Sequence, residues 1–259
     1  MKKRLVWALI LGAFAAIGMV SLAIAREKPV IVRAGKLVFK INGGVTPKAL
    51  PKHRLAPIAF HGGGTLWTVD GSHPPALEEV VLDADRNVLI DVRGLPSCRR
   101  EQLVALNTRD AIRACPDAVL GKGGSTVRVA FPDQTPFEAT GSLLLFNGGV
   151  KGGVSTFFLH AYVAVPTPTA VVATGKVTRV KGRLGNHMVF SVPLIAGGSG
   201  SVIHTHITIP RRPFTYKGRR KSFLSARCLD GRFLARGTFK FRDGTQLTGS
   251  VVRRCQATG

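Results

Sequence analysis

Short apolar runs recur along most of this chain, and where they alternate with polar residues they do so with a period of two. Leu37, Phe39 and Ile41 interleave with Lys36, Val38 and Lys40, which predicts one half-buried strand over residues 30–41. A stretch rich in proline follows (Pro47, Pro51, Pro57), then a short segment at 65–69 that holds Trp67. Residues 79–83 and 88–92 predict a hairpin about Ala84-Asp85-Arg86-Asn87. From residue 125 onward every apolar run reads as strand, at 125–131, 137–146, 154–165, 170–180, 188–193 and 202–209. Gly, Pro and Asn turns separate these runs at the intervals of a sandwich or barrel.

Residues 95–120 break the pattern. Ser97 can cap a helix over 98–106, and Asn107 or Thr108 a second one running to Cys115. The C-terminal meander allows a register to be chosen. Phe233, Ala235, Gly237, Phe239 and Phe241 share one strand face. A three-residue loop, Arg242-Asp243-Gly244 with Gly244 left-handed, sets Phe239 opposite Leu247, Ala235 opposite Val251 and Arg232 opposite Arg254. Upstream, a two-residue turn at Asp230-Gly231 would set Cys228 opposite Phe233 and Ala226 opposite Ala235. The fold expected is mainly β, with antiparallel sandwich-like sheets and a small disulfide-stapled helical hairpin. Pro132–Pro136 is the expected boundary between a mixed unit, 26–131, and a β unit, 132–259.

The first 25 residues stand apart. Lys2, Lys3 and Arg4 precede an uncharged run from Leu5 to Ala25 that ends in Ala23-Ile24-Ala25, the pattern of a cleavable signal peptide. The run is also long enough to serve as an uncleaved N-terminal anchor. In either case the cations keep the N-terminus inside, so the remainder is expected outside the cytoplasm, secreted or anchored. No later stretch is long and apolar enough to span a membrane. Four cysteines suit an oxidising compartment. Cys98–Cys115 and Cys228–Cys255 are the favoured pairs, each inside one local segment, with cross-pairing or free thiols as the alternatives. The second bridge needs Cys255 to curl past the end of a strand near Gly231, because two strand spacings, ~10 Å, exceed the reach of a disulfide.

Charge narrows the partner. Lys and Arg number 37 against 14 Asp and Glu, and residues 211–259 hold 13 cations but only Asp230 and Asp243 as acids. Arg232, Arg236, Lys240 and Arg254 share one outer face in the chosen register, and Arg219 and Arg220 extend the basic patch. Like charges directly opposite destabilise a sheet unless an anion intervenes, so these six residues are the candidate anion site. The partner expected is an anionic envelope polymer or lipid headgroups. Nucleic acid is disfavoured, since stacking aromatics are scarce there.

Catalytic chemistry finds less support. His61-Gly62-Gly63-Gly64 resembles the oxyanion loop of lipases, but no G-x-S-x-G elbow accompanies it. Four such permissive residues between strands read as a turn. His204 and His206 share a strand face and could meet one metal, yet no third ligand or orienting acid lies near in sequence. Asp83, Asp85 and Asp91 lack the spacing of a calcium loop. No cofactor, metal or catalytic residue is expected.

Gly94-Leu95-Pro96-Ser97-Cys98, the segment about Cys115, and the tail from Cys228 through Asp243-Gly244 to Cys255 together resemble uncharacterised exported proteins of actinobacteria. The resemblance covers nearly all of the chain after residue 25. It implies the two local disulfides and carries no activity. The expected function is therefore an exported, non-enzymatic envelope or extracellular binding protein. A secreted hydrolase or metal-binding protein using His61 or His204/His206 is the alternative.

Overall fold

The computed structural model describes residues 28–259, so the signal or anchor segment lies outside the described residues. Twelve strands form one antiparallel sheet: β1 (Val30–Ala34), β2 (Leu37–Thr46), β3 (Ala59–Thr68), β4 (Leu77–Ala84), β5 (Val119–Val129), β6 (Phe137–Lys151), β7 (Val154–Val163), β8 (Thr169–Arg179), β9 (Asn186–Ser191), β10 (Gly200–Ile209), β11 (Arg232–Phe241) and β12 (Gln246–Arg254). Their spatial order is β1-β2-β3-β10-β5-β6-β7-β8-β9-β4-β11-β12. The sheet curls until its two edges face each other, and the Cα of Gly249 on β12 lies so close to Val32 on β1 that a Cβ would stand 2.5 Å from it. No ladder joins β1 to β12 among the described residues, so the barrel is nearly closed. Opposite walls face one another across a shared core, much as the two sheets of a sandwich do.

The strand reading holds for the six runs after residue 125, each of which overlaps one strand of the wall. The chosen C-terminal register is present: Phe239 pairs with Leu247, Ala235 with Val251, Arg232 with Arg254, and Gly244 is left-handed at φ +85°. Both favoured disulfides are formed, with Cα–Cα 5.8 Å for Cys98–Cys115 and 5.9 Å for Cys228–Cys255. Cys255 does curl past the strand end, its N–H bonded to the Gly231 carbonyl at 2.9 Å.

Five local expectations fail, each for a physical reason. The single strand over 30–41 is two, because Gly35 turns the chain at φ +53° and lets Arg33 pair with Val38. His61-Gly62-Gly63-Gly64 is the interior of β3 and not a turn. Its glycines admit neighbours: a Cβ on Gly64 would meet the Phe39 ring at 2.4 Å, and one on Gly63 the Thr205 carbonyl at 2.2 Å. The helix expected over 98–106 shrinks to one 3₁₀ turn, Arg100–Gln102, because Cys98 N–H is tied to Asn147 O on the wall at 2.8 Å. The second helix, α1 (Thr108–Ala114), forms with Asn107 as its cap. The hairpin about residues 84–87 does not exist either. Asp85 is buried, accepts from the N–H groups of Asn87 and Leu234, and turns the chain off the wall. Finally, Leu224–Ala226 does not pair with β11. It is buried throughout and belongs to a three-stranded plug with Ala56–Pro57 and Val88–Ile90.

The registers give every strand a defined end. The connections at one end are short, with 35–36, 69–76 and 242–245 among them. At the other end three excursions, 47–58, 85–118 and 210–231, deliver the three plug strands. We call this the capped end. Ile58, Val92, Phe223 and Leu224 there pack on Leu120, Leu145, Phe157, Val177 and Phe233 of the wall. A second cluster, with Phe39 and Phe239 edge-to-face at 4.5 Å, holds the seam between β2 and β11. The third seats the disulfide-linked helical module on the outer wall through Leu103, Ala111, Phe146, Phe158 and Val172. The boundary expected at Pro132–Pro136 falls in the connection between β5 and β6, which are neighbours. Strands from 26–131 and 132–259 therefore share one sheet.

Candidate functional site: a basic pole

Within the 210–231 excursion, Pro213–Tyr216 and Arg219–Ser222 form a separate two-stranded hairpin. Lys217 and Gly218 turn it with φ +50° and +69°, the left-handed pair that a two-residue hairpin loop requires. The Tyr216 ring lies on the bare face of Gly94, where a Cβ would meet Cδ2 at 2.2 Å. Cations flank the ring, with Lys217 Nζ 5.7 Å and Lys221 Nζ 5.0 Å from its centroid. Asp91 clasps the hairpin to the loop beneath, taking Lys221 Nζ at 2.9 Å and Arg93 Nε at 2.8 Å. Burial pushes the Asp91 carboxyl up, but the hydrogen bonds from Arg93 and Lys221 outweigh it and bring it down to about 2. Arg212 is also structural, capping the Val119 and Asp117 carbonyls. Arg211, Lys217, Arg219 and Arg220 have no carboxylate partner among the described residues and point to solvent.

The excursions around this hairpin continue the charge. At the capped end the excursion 85–118 holds six Lys and Arg with five acids, while 47–58, 180–185 and 210–231 contain twelve Lys and Arg and one acid, Asp230. That acid is already engaged by Arg183, which also holds the buried Asp85 at 3.0 Å. Arg232 and Arg254 face each other at the same end. At the opposite end the connections 35–36, 69–76, 130–136 and 242–245 hold Lys36 and Arg242 against Asp70, Asp133 and Asp243. Lys36 Nζ meets Asp70 at 2.7 Å, and this pairing together with Ser72 holds the Asp70 carboxyl far below the usual range. Charge is thus polarised along the barrel axis.

The outer stripe expected on β11 divides under this geometry. Its neighbour β4 presents acids in register, so Arg236 lies 3.7 Å from Asp83 and Lys240 2.7 Å from Glu79. Asp83 also accepts from His187 Nδ1 at 2.8 Å. Among the described residues, Arg232 and Arg254 of the stripe have no carboxylate partner, and they lie with Arg219 and Arg220 at the capped end. That β4 would lie beside β11 was not legible locally, since residues 77–84 and 232–241 are far apart in sequence.

The histidines occupy a different surface. His204 and His206 project outward from β10 with ring centroids 5.8 Å apart, and His204 Nδ1 meets Thr65 Oγ1 at 3.0 Å. His61 is on the same outer face of β3, opposite Thr208. No three His, Cys, Asp or Glu side chains converge on a metal position among the described residues. One pair escaped the sequence reading: Ser201 Oγ lies 3.1 Å from His73 Nε2, beside a shallow cavity of about 290 Å³ lined by Gly71, His73, Arg128, Pro136 and Glu138. Burial and the nearby Arg128 charge lower the His73 pKa. Ser201 is buried and donates its proton to the Pro74 carbonyl, so the imidazole donates to the hydroxyl. A nucleophile needs the reverse polarity. The pair pins the 69–76 connection to the wall.

No described helix is long and apolar enough to cross a membrane. The chain matches no family model, no curated protein and no solved structure.

Proposed function

We propose that this chain is a non-enzymatic binding protein that works outside the cytoplasm and captures an anionic partner with its capped end. The observation that supports this reading is the axial charge asymmetry, with Arg211, Arg219, Arg220, Arg232 and Arg254 at one end of the barrel and without a carboxylate partner among the described residues. Guanidinium forks match carboxylate and phosphate oxygens in bidentate geometry. A field of one sign also steers anions toward that face. The two disulfides fit an oxidising compartment.

Co-sedimentation of residues 26–259 with an isolated envelope fraction across a salt series tests the proposal. Binding is expected to fall steeply with salt, and to survive replacement of the wall residues Arg236 and Lys240 by Gln. It should weaken when Arg219 and Arg220 are replaced instead. Salt-independent binding, or the reverse ranking of the two variants, would overturn it.

A further inference from the structure

The path of the chain narrows the class of partner. β1 runs from the capped side toward the other end, since Val30 pairs with Ile41 midway along β2 and the β1–β2 turn lies at the other end. The apolar run 5–25 ends at Ala25, and the residues between it and Val30 span at most about 15 Å. The direction of β1 therefore sets a membrane holding that run on the side of the basic pole.

The side chains at the two ends differ in the same sense. At the capped end, exposed Leu55, Val150 and Val180 each adjoin a cation in sequence, namely Arg54, Lys151 and Lys181. At the opposite end the exposed apolar residues lack such cations: Val69 adjoins Asp70, Phe131 lies two residues from Asp133, and Val165 and Leu194 stand in uncharged connections. Apolar side chains beside long cations suit a headgroup interface, where the apolar part enters the acyl boundary and the charge stays with the phosphates.

We propose that the capped end seats on an anionic lipid surface, with Arg219, Arg220 and Lys217 at the headgroup phosphates and Leu55, Val150 and Val180 at the interface. This inference rests on the basic-pole reading above.

Every described strand, all three apolar clusters and both disulfides lie within residues 26–259, so that chain is the one to test. Its binding is measured to vesicles of phosphatidylglycerol with phosphatidylcholine, to vesicles of phosphatidylcholine alone, and to soluble polyphosphate. Salt-sensitive binding to the anionic vesicles is expected, with little to the neutral ones. Each cation removed should weaken it about fivefold, so replacing Lys217, Arg219 and Arg220 together by Gln should weaken it about a hundredfold. Leu55→Ser with Val180→Ser should weaken vesicle binding and leave polyphosphate binding unchanged. Polyphosphate binding without vesicle binding, or vesicle binding indifferent to these variants, overturns the membrane assignment and spares the basic-pole reading. Binding to neither at low salt overturns both.

Discussion

Replacing Asp91 by Asn removes the charge that clasps the basic hairpin and keeps the size of the side chain. In the fold Asp91 is 5% exposed and accepts from Arg93 Nε, Arg93 Nη2, the Arg93 N–H and Lys221 Nζ. Its carboxyl titrates at about 2 against an ordinary 3.8, a difference of roughly two pH units. At about 1.4 kcal/mol for each unit, the ionised carboxylate contributes about 2.5 kcal/mol at pH 7. A folded pKa below the unfolded one means that the unfolded chain binds the proton more readily. The contribution is therefore full above pH 3.8 and disappears as pH falls through 2. At pH 3 about half of it should remain. Urea unfolding of both proteins at pH 7 and pH 3 measures this. With a slope of about 2 kcal/mol per molar urea, the Asn variant should unfold about 1 M earlier at pH 7. Equal midpoints at pH 7 would refute the ionic clasp. A deficit of unchanged size at pH 3 would assign the effect to packing instead.

Three further outcomes are expected. Gly123→Ala should prevent folding or cost several kcal/mol, since its Cβ would stand 1.9 Å from the His206 carbonyl, whereas Gly152→Ala has open space around it and should cost about 1 kcal/mol for its left-handed φ; thermal melts of the two rank them. Replacing Cys228 and Cys255 by Ala opens a loop of 27 residues' separation and should lower unfolding stability by about 3.5 kcal/mol in a urea titration. His160 is fully buried, its Nε2–H bonded to the Leu106 carbonyl at 2.9 Å, and burial lowers its pKa. The unfolded chain takes up that proton first, so the module's stability should decline as pH falls through about 6.5, seen as faster amide exchange over 98–118 that His160→Gln reduces in its pH dependence.

Much of the wall was legible because a half-buried strand writes its orientation into every second residue. The register of β11 with β12 followed from Phe239, Leu247, Ala235 and Val251 alone, since a slip of one residue would have turned each of them to solvent. The local disulfides were legible for a similar reason, as each closes a short segment. What misled was any residue whose role comes from a distant neighbour. Gly62, Gly63 and Gly64 look like a turn until Phe39 and Thr205 are seen against them. Phe223, Leu224, Ser225 and Ala226 are all buried, and a short segment buried on both faces does not say whether it is a wall strand or a plug. For the candidate site, the six basic residues were visible as composition. Their division into paired and unpaired groups was not, because Glu79 and Asp83 come from a strand far off in the chain.

By itself the sequence determined the β character, the two faces of each strand, the excess of positive charge and its concentration near the C-terminus. These are properties of neighbouring residues, and the pleat and Coulomb's law act on them whatever the topology. Only the tertiary structure decided that β4 lies beside β11, that three excursions plug one end of the barrel, and that unpaired cations gather at that end. Strand order is set by which apolar faces can be buried together, a property of the whole chain. A cation's availability then depends on the acid that the folded sheet brings beside it: Lys240 meets Glu79 across the ladder, while Arg232 has Arg254 opposite it and no carboxylate partner among the described residues.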